Sequence, residues 1–183
     1  MDNTGEDRRT ALRGVFLHNG YAGTSIANLA AATELGKASL YHHFPGGKAA
    51  MARALIRDAV TDLQQNAFAG AQDDDDPKAR IGVVIDEFER YVEHGRAPCL
   101  LALFALENAE VLDRPQLARQ FESWLEDVAQ AFEALGEPPK AARRRADRLF
   151  ADLYGFICLA ALRSDPKVFT RGIKQLRREL KRL

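Results

Sequence analysis

Hydrophobic positions recur at three- and four-residue intervals along nearly the whole chain, and runs that alternate apolar with polar residues are missing. This pattern predicts helices and no strand. Over residues 8–19, Leu12, Val15 and Phe16 form one stripe, and Gly20 stands where a helix C-cap glycine belongs. Thr24 and Ser25 offer an N-cap to a short helix over 26–33. A second short helix follows over 37–44, and Pro45-Gly46-Gly47 breaks it. A long amphipathic helix over 48–68 then carries Met51, Leu55, Ile56, Ala59 and Leu63 on one face.

Asp73 to Asp76 mark a polar break, read as a solvated loop or as negative charge at the start of the next helix. That helix, over 78–93, carries Ile81, Val84, Ile85, Phe88 and Val92. Residues 99–109 are apolar nearly all round and predict a buried helix. Pro115 opens another to residue 135, with Leu117, Phe121, Trp124, Leu125, Val128 and Phe132 in step. A helix over 140–163 begins polar and becomes apolar on every side from 149 to 162. After Asp165-Pro166, the last helix over 167–183 places Phe169, Ile173, Leu176, Leu180 and Leu183 on one stripe. The expected fold class is all-α, with about nine helices and no internal repeat.

Leu12, Val15, Phe16, Ile26, Leu29, Ala30, Leu35 and Leu40 can pack the first three helices into a small bundle. Helices two and three are joined by Glu34 to Gly36, the spacing of a helix-turn-helix. The second helix of such a motif lies in a DNA major groove with its first residues at the base edges. Here these are Lys37, Ala38 and Ser39. Lys37 can donate to guanine or hold a phosphate, Ala38 can touch a thymine methyl, and Ser39 can bond base or phosphate. Tyr41, His43, Lys48, Thr24 and Ser25 are placed to meet phosphates, as are the open N–H groups of helix two. Tyr41 can also be read as a core ring with an exposed hydroxyl, but the phosphate role is preferred. His42 and His43 point about 100° apart on a helix and cannot chelate one metal together.

The stretch FLHNGYAGTSIANLAAATELGKASLYHHFPGGKAAM resembles the DNA-binding signature of the TetR family of transcriptional regulators. Phe16, Gly20-Tyr21, Thr24-Ser25-Ile26, Ala30, Leu40-Tyr41, Phe44 and Lys48 carry the match. Two departures are visible: Glu34 stands where the family often has glycine, and Pro45-Gly46-Gly47 lengthens the step before Lys48 by one residue. FPGGK, Pro98-Cys99-Leu100-Leu101 and Glu107 are similar to the LmrA/YxaF-like branch. The resemblance implies a DNA reader over residues 1–50 and a ligand-binding, dimer-forming helical bundle over 51–183. It implies a repressor that a small apolar or aromatic molecule releases from double-stranded, palindromic operator DNA. The alternative is a helical scaffold or adaptor that has kept the fold without specific DNA binding.

Charge complicates this picture. Twenty-six basic and twenty-six acidic residues cancel, which excludes a uniformly basic protein. The distribution is uneven: +3 over 1–57, −12 over 58–139 and +9 over 140–183. The strongest basic signal therefore lies at the wrong end for the helix-turn-helix. In the last helix the basic residues fall opposite the apolar stripe, as on a solvated face, and can pair across an interface with the acidic middle.

The helix over 149–162, apolar on all faces, either sits at the centre of the bundle or meets a second subunit. The second choice gives a four-helix homodimer interface from Leu153, Ile157, Ala160, Ala161, Phe169, Ile173, Leu176 and Leu180. Phe88, Leu103, Phe104, Phe121, Trp124, Phe150 and Tyr154 can line an effector pocket or form ordinary core, with Glu107 as a lone polar anchor. Cys99 and Cys158 are expected as small buried hydrophobes, not as a disulfide or zinc site. No cofactor or metal is implied. Glu107 with His94 can be drawn as an acid–base pair, but no nucleophile motif or phosphate loop supports an enzyme. The N-terminus shows no signal peptide, and the longest apolar run is about half a bilayer span. A cytoplasmic protein without membrane contact is expected.

Overall fold

A computed structural model describes residues 3–69 and 76–183; the expected loop at Asp73 to Asp75 lies outside the described residues. Nine α-helices and no strand are found among the described residues. They are α1 (Asn3–Gly23), α2 (Ile26–Thr33), α3 (Lys37–His43), α4 (Gly47–Leu63), α5 (Pro77–Tyr91), α6 (Leu100–Leu106), α7 (Arg114–Ala134), α8 (Pro139–Leu162) and α9 (Pro166–Leu180). A π-helical turn, Gln64–Ala69, continues α4, and a 3-10 turn, Glu93–Gly95, follows α5.

Local chemistry sets the helix starts. Asp76 and Asp165 are N-caps whose carboxylates accept from the backbone N–H of Lys78 and Lys167, at 2.9 and 3.0 Å, each with proline at the first helical position. The same Asp-Pro pair that ends one helix thus begins the next. The α1 helix is interrupted at Gly20, whose φ of 68° and ψ of 178° are non-helical.

The chain divides into two compact units, Met1–Val60 with Leu100–Arg114, and Thr61–Cys99 with Pro115–Leu183. The first reaches beyond residue 50. Its core joins Leu12 and Phe16 of α1, Leu29 of α2 and Leu40 of α3 to Met51, Ala52 and Leu55 of α4 and to Leu100 and Phe104 of α6. Phe16 is fully buried, its ring 5.6 Å from Phe104 in an edge-on pair. The expected all-round burial of α6 fails at Leu106, which is 82% exposed.

The second unit is built on an aromatic core. Phe68 stacks on Trp124 at 5.0 Å, and the Gln64 side chain accepts from the indole N–H of Trp124 at 2.8 Å. The α8 and α9 helices pack as a hairpin, and Gly172 permits the approach, since a Cβ there would lie 2.4 Å from the Phe156 ring.

This hairpin corrects the expected dimer face. Leu153, Ile157, Ala160, Phe169, Ile173 and Leu176 are buried within the single chain, and Leu180 is half-buried. Ala161 alone of the expected set is exposed. An evenly apolar helix has no periodicity to tell its inner face from its outer one. The outer face holds Ala151, Cys158, Leu159 and Leu162, so Cys158 is exposed and not a buried hydrophobe.

The acidic middle and the basic tail meet inside this unit. Arg143 forks onto Glu122 at 2.6 and 2.9 Å, and Arg177 bridges Asp86 and Glu89, both at 2.6 Å. Hydrogen bonding from Arg143 holds the Glu122 carboxyl below its usual range.

Candidate nucleic-acid interface

Ser25 caps α2 by a reciprocal box: its hydroxyl accepts from the Asn28 N–H at 3.2 Å, and the Asn28 amide oxygen accepts from the Ser25 N–H at 3.1 Å. The α2 helix ends at Glu34 in a left-handed conformation, φ 56° and ψ 19°. Glycine adopts this turn without strain, which accounts for the family preference that Glu34 departs from. Gly36 then begins α3. Leu40 anchors α3 in the core, so its other face turns outward.

That outward face carries Lys37, Ala38, Tyr41 and His42, all exposed, with Ser39 half-buried and His43 exposed. Tyr41 is 48% exposed, and its ring lies beside Gly47, where a Cβ would come within 3.2 Å of it. Tyr41 is therefore a partly open ring on the outward face of α3 rather than core.

Two expected phosphate contacts are placed differently. Thr24 is 3% exposed and its hydroxyl donates inward to the Gly20 carbonyl at 2.6 Å, so its side chain is a structural lock. The Lys48 ammonium donates to the Tyr21 carbonyl at 2.8 Å and lies 4.4 Å from the Tyr21 ring centre. One of its three N–H donors is thus already used. Burial, then Glu110, pushes the Tyr21 hydroxyl pKa up against the pull of Arg53.

The expected pocket residues separate into two groups. Phe88, Phe121, Trp124, Phe150 and Tyr154 come together, with Phe121 5.0 Å from Phe150 and Phe88 5.2 Å from Tyr154. The Tyr154 hydroxyl pKa is pushed well up by burial, and the Cys99 thiol lies 3.9 Å from it. Phe104 instead packs on Phe16 and Tyr21 in the first unit, which also holds half-buried Leu103. Glu107 is exposed, and its carboxylate accepts from the Tyr21 N–H at 2.6 Å. It anchors a turn of the first unit. Sequence spacing held no signal for this, since 86 residues separate the two partners.

Residues 10–55 match the family model for bacterial regulatory proteins, tetR family. Over that segment the chain is similar to the DNA-binding part of TetR-family regulators. It is 28% identical over 145 residues to the HTH-type transcriptional repressor DhaR of Mycobacterium sp. (strain GP1), covering 75% of this chain and 70% of that one. An uncharacterised HTH-type transcriptional regulator of Mycobacterium tuberculosis is 28% identical over 163 residues, covering 84% and 82%. These relatives do not confirm the LmrA/YxaF-like branch.

Among solved structures, a TetR transcriptional regulator from Legionella pneumophila superposes with a TM-score of 0.80 at 21% identity, covering 98% of this chain and 97% of that one. AibR, solved with isovaleryl coenzyme A and operator DNA, gives a TM-score of 0.60 at 20% identity, covering 81% and 86%. These matches support a helix-turn-helix DNA-binding transcriptional regulator, and the chain has the all-helical fold of the solved TetR-type structures. No described helix is long and apolar enough to cross a membrane.

Proposed function

We propose that this chain is a TetR-family regulator, a homodimeric repressor that reads a palindromic operator and is released by a small apolar or aromatic effector. The observation that carries the reading is the outward face of α3, where Lys37, Ala38 and Tyr41 are exposed beside the capped start of α2. Base edges meet Lys37, Ala38 and Ser39; phosphates meet Tyr41, His43, Ser25 and the free donors of Lys48. Thr24 serves by holding its turn.

Dimerisation uses the outer face of α8. Ala151, Cys158, Leu159 and Leu162 share one side of the helix, with Leu159 48% and Leu162 82% exposed. A stripe of this kind is covered by a copy of itself in a two-fold dimer, and two reading heads about 34 Å apart match one DNA turn. The effector enters among Phe88, Phe121, Trp124, Phe150 and Tyr154, rings that contact one another and have to part around it. AibR, crystallised in complex with isovaleryl coenzyme A and operator DNA, is a precedent for this fold holding both a small molecule and operator DNA.

The test is selection of duplexes from a random pool by the purified full-length chain. The expected result is a palindromic consensus whose binding weakens steeply with salt. Weak, salt-labile binding without a consensus would support the adaptor reading instead.

A further inference from the structure

The last turn of α1, after the break at Gly20, is held by opposite charges at the two ends of a single residue, Tyr21. The Tyr21 N–H donates to Glu107 Oε2 at 2.6 Å, and the Tyr21 carbonyl accepts from Lys48 Nζ at 2.8 Å. The Tyr21 ring stacks on Phe16 at 6.3 Å and meets Phe104 edge-on at 5.8 Å. Gly20, one residue earlier, adopts φ 68° and ψ 178°, a region essentially confined to glycine. A Cβ on Gly20 would also lie 1.8 Å from Glu107 Oε1, so the close approach of the carboxylate needs glycine as well. The Gly20 carbonyl, in turn, accepts from the Thr24 hydroxyl at 2.6 Å.

These ties converge on the segment that leads into α2. The geometry points to Glu107 as a positioning residue for DNA reading, a role that rests on the function proposed above. Glu107 itself need not touch DNA. Glu107 holds the N–H of the Gly20–Tyr21 peptide, whose carbonyl Thr24 ties, and so restrains Tyr21; the Tyr21 carbonyl, in the next peptide, is the one to which Lys48 is tied, so the same restraint bears on where the two remaining Lys48 donors point. By the same restraint it sets the angle at which Ser25 begins α2. Glu107 follows directly on α6, so the DNA-reading turn takes its position from a helix more than eighty residues away in sequence.

The test uses the full-length chain, Glu107→Ala and Glu107→Gln, a duplex selected by the wild type, and a scrambled duplex. Amide exchange is followed over residues 17–25 without DNA, and melting temperature is recorded. In Glu107→Ala the Tyr21 amide loses its protection, and the selected duplex binds about tenfold more weakly, the scale of a lost charge-assisted hydrogen bond. Affinity for the scrambled duplex changes less than about twofold, since non-specific binding depends on charge rather than register. Glu107→Gln keeps an acceptor and falls between the two.

Unchanged Tyr21 protection in Glu107→Ala overturns the clamp. Lost protection with unchanged affinity for the selected duplex overturns the positioning role, and so does a parallel fall on both duplexes. If Glu107→Ala does not fold, Glu107→Gln decides by the same readouts, and behaviour identical to wild type overturns the proposal. A wild type that selects no sequence contradicts the DNA-reading proposal instead, while Tyr21 protection still decides the clamp.

Discussion

The outward face of α3 and the outward face of α8 are both left open by the chain, and they could hardly differ more. The first offers Lys37, Tyr41 and His42; the second offers Ala151, Cys158, Leu159 and Leu162. A polar, cationic face with small residues suits a phosphate-lined groove, and an apolar one suits a copy of itself. Charge density alone would have ranked them otherwise. The tail holds +9 over 140–183, yet Arg143, Arg145, Arg148, Arg171 and Arg177 are all paired with carboxylates of their own unit. The head holds only +3 over 1–57, but Lys37 has no ion pair among the described residues. Pairing takes up part of the tail's charge, so total charge alone does not rank the two surfaces.

The contrast can be broken from either side. Leu159→Asp together with Leu162→Asp should give a folded monomer by sedimentation and lower operator affinity by on the order of 100-fold, because the second head no longer binds at high effective concentration. Should this variant stay dimeric, the interface is elsewhere. Lys37→Ala with Tyr41→Ala should weaken the selected duplex by about 10- to 100-fold with the melting temperature unchanged. Intact binding there removes α3 as the reader.

Arg177→Ala acts on stability rather than on DNA. It leaves Glu89, with its side chain 12% exposed, and Asp86 without their shared guanidinium. Arg177 is itself 39% exposed, so solvent screening limits the loss to about 1 kcal/mol in chemical denaturation. An unaltered denaturation midpoint would mean the bridge does not hold α9 to α5. Lys174→Ala with Arg178→Ala, on the exposed face of α9, should change operator affinity by less than about twofold in a binding titration. A larger loss returns the tail to the DNA surface.

Much of this was legible in sequence where the signal is local. The bounds of α2 and the start of α3 follow from Ser25, Gly36 and apolar spacing within thirty residues. The proline-led starts of α5 and α9 were partly legible, although Asp165-Pro166 read as a stop rather than as a cap. Burial direction was not legible in α8, because a helix apolar all round carries no phase. Nor was it in Thr24, whose hydroxyl finds a carbonyl four residues back and turns inward. Glu107 was singled out, but for the wrong partner: only the folded chain brings its carboxylate to the Tyr21 amide. Leu106 shows the converse, an apolar residue in an apolar run that the fold leaves in water.

We propose that this chain meets DNA through α3 and the start of α2, and not through its basic tail. Amide exchange of the full-length chain, with and without its selected duplex, tests it directly. The account predicts slowed exchange over residues 25–48 and none over 171–182. Slowed exchange at 171–182 with 25–48 unaffected would contradict it.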